Sequence, residues 1–305
     1  MDWTISDRPE LAAELRARSW SASSLELWIA CPARWFVERM LDPASQQPDP
    51  EPLARGALAH AVLRDTLHAL REQTGSARVT TSRLALARRL LATAFACQEP
   101  AYQLSAEAAR VPGLRRKLQA DLERYLAHAA EQDSPLEPRE LELGFGFEGE
   151  PPGLPSLDLG DGLRLRGRID RIDVGPHGQA VLYDYKGASV SPAAKWLEDG
   201  KIQLALYVLA VRELLGLDVV GAFYQPLTGV DLRARGALDR SAGIELECVQ
   251  TDLLEHDELE ELLERARELA VASATQARAG AIEPRPQTCS YGGGCAHPAI
   301  CRQGR

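Results

Sequence analysis

Gly167-Arg168-Ile169-Asp170-Arg171-Ile172-Asp173 and, after a short gap, Tyr183-Asp184-Tyr185-Lys186-Gly187 decide how the chain is read. Between them lies Gly175-Pro176-His177-Gly178, four residues of turn chemistry. The flanking runs, Leu163 to Val174 and Ala180 to Lys186, are rich in Val, Ile, Leu and Tyr and predict two strands of a hairpin. If the turn closes it, Val174 pairs near Gln179, and Asp170 falls within a residue of lying opposite Asp184. Side chains alternate along a strand, so Asp184 and Lys186 share a face and Tyr183 and Tyr185 take the other. Two carboxylates and an ammonium then meet at one spot.

Carboxylates that close repel each other, and their burial is costly unless a divalent cation sits between them. All-oxygen ligands suit a hard ion such as Mg²⁺ or Mn²⁺. A lysine two residues on is placed to orient water or to stabilise charge developing on a phosphate. D-x-K alone also describes a surface hairpin with an ordinary Asp–Lys pair, so the rest of the chain has to decide.

The 305 residues are 45% hydrophobic and 26% charged, enough for a sizeable core in one large or two smaller domains. No apolar run approaches 18 residues and the start, Met1-Asp2-Trp3-Thr4, is polar, so a cytoplasmic protein without a membrane partner is expected. A net charge of −9 argues against a protein that coats DNA, but not against a nuclease whose basic groups are confined to one groove. The G-x-x-x-x-G-K-[ST] loop of nucleotide-driven motors is absent. Of six cysteines, Cys97 and Cys248 read as buried core thiols, whereas Cys31, Cys289, Cys295 and Cys301 need another account.

Along the chain, Ser23 followed by Glu26 predicts a capping box opening a helix that ends near Cys31-Pro32, with Trp35, Phe36 and Met40 in a further short helix. Residues 42 to 52, with four prolines, read as a loop. Gly56 to Glu72 predicts a long helix with His60 and Arg64 one turn apart, and residues 75 to 133 two or three more. Their arginines, Arg83, Arg88, Arg89, Arg110, Arg115, Arg116 and Lys117 among them, read first as a solvated face and alternatively as a DNA groove. From Glu140 the period becomes two, at Leu141, Leu143, Phe145 and Phe147. A helix follows from Gln203 to about Leu215, then strands at Val219–Tyr224 and Ile244–Gln250, and a charged helix over Leu253–Ala277. Helices first, then strands with a helix between the later ones, predict an α/β fold with a mixed central sheet.

His60, Asp170, Asp184, Lys186, Gln203 and Tyr207, in the patterns G-x-x-x-H, G-R-I-D, D-Y-K and Q-x-x-x-Y, resemble the PD-(D/E)XK nuclease superfamily. The RecB-like exonuclease branch, with the AddB-type nuclease domain, is the most similar. The resemblance implies one restriction-endonuclease-like domain over 1–305, with a helical insertion at 73–137. It implies that His60, Asp170, Asp184 and the carbonyl of Tyr185 bind Mg²⁺ or Mn²⁺, that Lys186 positions the attacking water, and that Gln203 and Tyr207 support the site or touch DNA. Asp173 is the rival to Asp170. Strict alternation places Asp170 with the arginines of its strand, so a bulge near Gly167 is expected to re-aim it.

The same resemblance implies a [4Fe–4S] cluster on Cys31, Cys289, Cys295 and Cys301, joining the ends of the domain at 20–41 and 282–305. The downstream spacing, C-x₅-C-x₅-C, departs from the C-x₂-C-x₅-C of the family, and a Cys₄ zinc site is the alternative. The expected function is a metal-dependent deoxyribonuclease, an exonuclease on single-stranded DNA working with a helicase partner in repair, recombination or phage-related processing. The alternative is a non-catalytic DNA-binding scaffold.

Overall fold

The computed structural model describes residues 4–5, 8–41, 51–132, 134–188, 190–244, 246–285, 297 and 301. Cys289, Cys295 and most of the proline-rich 42–52 loop lie outside them. In chain order the elements are α1 (Pro9–Ala17), β1 (Trp20–Ser21), α2 (Ala22–Ala30), α3 (Pro32–Phe36), α4 (Glu51–Thr74), α5 (Leu84–Gln98) and α6 (Val111–Glu131). Then come β2 (Glu137–Phe145), β3 (Leu157–Asp158), β4 (Arg164–Val174), β5 (Gln179–Lys186), α7 (Gln203–Leu215), β6 (Asp218–Pro226), β7 (Arg235–Asp239), β8 (Leu253–Leu254) and α8 (His256–Arg278).

Among the described residues these strands form one eight-stranded mixed sheet, so the predicted α/β class holds. β4 and β5 are the predicted hairpin, with Val174 opposite Ala180 and Arg171 opposite Tyr183. The turn closes through the Gly175 amide, which donates to the Gln179 carbonyl. β5 and β6 run parallel, as a crossover through α7 allows, whereas β6 and β7 are antiparallel. The N-terminal half of β4 is flanked by β1 and β3, its C-terminal half by β2 and β5.

Apolar side chains make a main core on one side of the sheet, against α2, α7 and α8. There the Trp20 and Trp35 rings stack at 5.0 Å, and the Trp35 indole donates to Ser24 Oγ at 2.7 Å. A second core, from α4, α5 and α6, closes over Tyr185 and Leu227. Beneath it Arg171 grips Asp173 through two 2.7 Å bonds and donates to the Tyr125 hydroxyl at 2.8 Å. This pair ties α6 to β4 and keeps Asp173 away from Asp170, which removes Asp173 as the rival.

Four expectations are corrected. The cap of α2 is Ser21, whose Oγ accepts from the Ser24 amide, and Glu26 is used elsewhere. Glu51 and Pro52 belong to α4, since proline is tolerated in a first helical turn. The strand placed at Ile244–Gln250 lies at Arg235–Asp239; Ile244, Leu246 and Cys248 alternate because they pack on a third small core, without a ladder of their own. Cys97 is exposed on α5 and Cys248 half-buried, so neither is a core thiol.

Candidate active site

β4 changes face at Asp170. Leu165 and Ile169, at odd positions, enter the main core; beyond them Ile172, at an even position, does so, and Arg171 turns to the opposite side. β2 changes at the same level, with Leu143 and Phe145 in the main core and Leu141 against the second. The pairing stays one-to-one across the break, Leu143 with Ile169 and Leu141 with Arg171. The residue between them in β2 is Glu142, which holds a left-handed φ of 53°. That conformation costs a non-glycine residue roughly 1–2 kcal/mol. The re-aiming predicted near Gly167 is thus found at Asp170 itself, produced by both strands together; the only register shift of β2 on β4 is at Pro138/Glu140.

The result is a cluster of titratable groups around the fork where β4 and β5 part. Asp170 is buried and its Oδ2 accepts from the Tyr185 amide at 2.6 Å, which bridges the strands beyond their last pair. From α4, His60 Nδ1 reaches Asp170 Oδ1 at 3.4 Å and Glu142 Oε1 at 3.3 Å. One ligand atom from each of His60, Glu142 and Asp170 lies within 4.8 Å of the others. The His60 ring stands edge-on to Tyr185 at 5.6 Å, so the second core fixes its orientation. On the α7 side, Lys186 Nζ lies 2.5 Å from Asp184 Oδ2. Gln203 Nε2 donates to Asp184 Oδ1 at 2.7 Å, and its Oε1 accepts from Lys186 at 3.3 Å. One amide therefore orients both the acid and the ammonium.

Electrostatics marks the same spot. Burial, reinforced by the charge of Asp170, pushes the Asp184 carboxyl up to about 7, with Lys186 and His60 pulling the other way. Burial by itself would lower His60, but hydrogen bonds to Asp170 and Glu142 and their charges outweigh it and raise the imidazole to about 10. Glu142 Oε1 and Asp184 Oδ2 are buried carboxylate oxygens without an aligned hydrogen bond. Orphaned oxygens of this kind are unfavourable unless a cation completes them, and with a histidine they make a donor set that fits a hard divalent ion.

The six residues of the motif set converge here except Tyr207, which acts one layer below. A Cβ at Gly167 would meet Tyr207 Cε1 at 2.7 Å and its hydroxyl at 2.8 Å, so the glycine before Arg168 exists to let that ring lie under β4. Two contributors escape the sequence reading. Glu142 reads only as the polar position of an alternating strand, and its placement depends on an antiparallel register that the sequence does not state. Glu26 Oε1 accepts from the Ile202 and Gln203 amides at 2.8 and 2.9 Å, so it caps α7 from a distance of 176 residues along the chain.

Against known proteins, the family described as the PD-(D/E)XK nuclease superfamily matches residues 19–302. The chain belongs to the PD-(D/E)XK nuclease superfamily. Its mixed sheet flanked by helices is the restriction-endonuclease-like architecture of that superfamily. A 195-residue stretch, 59% of this chain, is 30% identical to an ATP-dependent helicase/deoxyribonuclease subunit of Lactiplantibacillus plantarum. That match covers 15% of the relative's length. Among the described residues no helix is long and apolar enough to cross a membrane.

Replacing Gly167 with alanine is expected to lower stability by about 1–3 kcal/mol. In urea melts the loss should be less than additive with Tyr207→Ala, because the clash is with that ring. The metal-free site also has a definite pH response. Asp184 and His60 keep protons that the unfolded chain, with ordinary values of about 4 and 6.5, would release. Their contribution to stability is complete at acid pH and lost as pH rises through about 7 and then towards 10. A cation must displace those protons, so the rise in melting temperature on adding Mn²⁺ should be larger near pH ~8.5 than near pH ~6. Equal shifts at both would place the ion elsewhere.

Proposed function

We propose that this chain is a divalent-metal-dependent deoxyribonuclease that degrades single-stranded DNA from an end. The observation that carries the reading is the meeting of buried Asp170, Asp184 and Glu142 with His60 at a strand fork, beside a lysine that is 38% exposed. His60, Asp170 and Asp184, with Glu142 and the Tyr185 carbonyl, would hold Mg²⁺ or Mn²⁺. A cation bound there supplies a Lewis acid for the scissile phosphate and acidifies nearby water. Lys186 orients the attacking water and stabilises charge that builds on the phosphate oxygens. Gln203 keeps Lys186 and Asp184 in mutual register, and Tyr207 supports β4 from below. The residues from 1 to 305 act as one nuclease domain, and the helices within 73–137 wall its cleft.

DNA as substrate and a helicase as co-worker are supported by the name of the relative, a helicase/deoxyribonuclease component. Because the chain carries no nucleotide-binding loop motif, the motor would sit elsewhere, on a partner protein or another part of the polypeptide. Repair, recombination or phage-related DNA processing is the setting that fits.

Cys31, Cys289, Cys295 and Cys301 would hold a structural [4Fe–4S] cluster. Support comes from Cys31, buried at the junction of α2 and α3, whose Sγ accepts from the Arg285 amide at 3.5 Å. The Arg285 guanidinium also donates to the Ile29 carbonyl, and His297 Nε2 lies 3.5 Å from Glu38 Oε1. The C-terminal segment thus returns to the helix pair that bears Cys31, and four thiolates are a donor set suited to iron–sulfur or zinc.

On end-labelled single-stranded DNA with Mg²⁺ or Mn²⁺, the wild type is expected to produce shortened products, abolished by EDTA. Lys186→Ala should be slower by about 10²-fold or more; equal cleavage by both proteins would sink the assignment. Anaerobically purified protein should be brown and contain four irons per chain; one zinc and no iron would replace the cluster with a zinc site.

A further inference from the structure

The N-terminal half of β4 carries three arginines that the site described above does not use. Arg164, Arg166 and Arg168 alternate with buried Leu165, Gly167 and Ile169, and all three are exposed. Since Leu165 and Ile169 enter the main core, the arginines face the other side of the sheet. That is the side on which α4 and α6 stand over Tyr185 and Arg171. The arginines therefore floor an open strip beside the helical wall.

The strip ends at the acidic centre. Arg168 Nη1 donates to the Glu142 carbonyl at 3.2 Å, and Arg168 lies two residues from Asp170. Among the described residues neither Arg164 nor Arg166 makes an ion pair, and Arg168 has only Glu150, in a pair where both partners are nearly half exposed. Such a pair is weak and yields readily to a phosphate. Phe147 lies within the strip, its ring centroid 5.5 Å from the Arg166 guanidinium and 5.6 Å from that of Arg168. At the far end Arg18 is held below its ordinary value, by burial first and then by the charges of Arg166 and Arg39, against Glu14. A chain of net charge −9 has thus gathered like charges on one face, an arrangement unfavourable without an anion.

The spacing selects the anion. Alternate residues of a strand stand about 6.7 Å apart, close to the rise between successive phosphates of an extended single strand. An aromatic ring beside guanidinium planes suits an unstacked base, which a duplex does not offer. We infer that the Arg164–Arg166–Arg168 face of β4, with Phe147, is the track on which a single DNA strand lies as it enters the Asp170 centre. The end point of the track rests on the nuclease reading; the track itself is a binding surface and is tested as one.

The test is fluorescence anisotropy of a labelled oligothymidylate in EDTA, over a range of salt concentrations, with melting temperatures to confirm folding. Arg164→Gln/Arg166→Gln keeps both stems and should bind about tenfold or more weakly at low salt. Its logarithmic salt slope should fall by about 1.4, two phosphates at about 0.7 each. Phe147→Ala should lose about fivefold or more. Arg88→Gln/Arg89→Gln, on the outer face of α5, should bind as the wild type does. Unchanged affinity and slope in the β4 variant would overturn the inference. So would a larger loss in the α5 variant, preference for duplex, or no binding by the wild type. Binding that depends on β4 without any cleavage would leave the track standing and remove the nuclease reading; cleavage with binding indifferent to β4 would do the reverse.

Discussion

Bringing three carboxylates together inside a protein is electrostatically expensive, and much of this fold's irregularity is spent on making that meeting possible. Two regular strands would send Asp170 to the helical side and leave it among arginines. Instead β2 and β4 break alternation at the same level, with Glu142 in a left-handed conformation that only surrounding packing can hold. Strain of this kind persists where neighbours over-determine the backbone. Here Ile169 and Ile172 lock β4 into the main core from either side of Asp170, while Arg171 is pinned by Asp173 and Tyr125.

The cluster is also held from two directions that share no side chains. His60 arrives from α4 and is braced by Tyr185 and the second core. Asp184 and Lys186 are braced from α7 through Gln203. The two layers meet only at the strand fork, where the Tyr185 amide reaches Asp170. Movement of either layer would change the separation of His60 from Asp184 and hence the size of the cation cradle.

Much of this is legible in the sequence because it is local. The hairpin register follows from a four-residue turn and period-two runs, and it places Asp170 opposite Asp184 within one residue. The Gln203 helix is legible from its apolar pattern, and the order of elements gives the α/β class. What escapes is non-local or depends on partners. Glu142 looks like any outward acid until β2 is paired with β4. Glu26 has the spacing of a local capping box with Ser23, yet its carboxylate serves α7. Ile244, Leu246 and Cys248 alternate as a strand does, but their partner is a patch of core instead of a neighbouring backbone. The rivalry between Asp170 and Asp173 is settled only by Arg171, whose two bonds to Asp173 are invisible in a string of residues.

Glu26 has a wider meaning for how the domain is assembled. Most helix caps lie next to the helix they cap, and so form with it. The first amides of α7 instead depend on a carboxylate from α2, which is synthesised long before α7 exists. A fragment beginning at Gly56 would retain every residue of the G-x-x-x-H to Q-x-x-x-Y series and still present Gln203 on a frayed end. The domain is therefore indivisible at its N-terminus: the early helix works as a keystone, put in place first and loaded last.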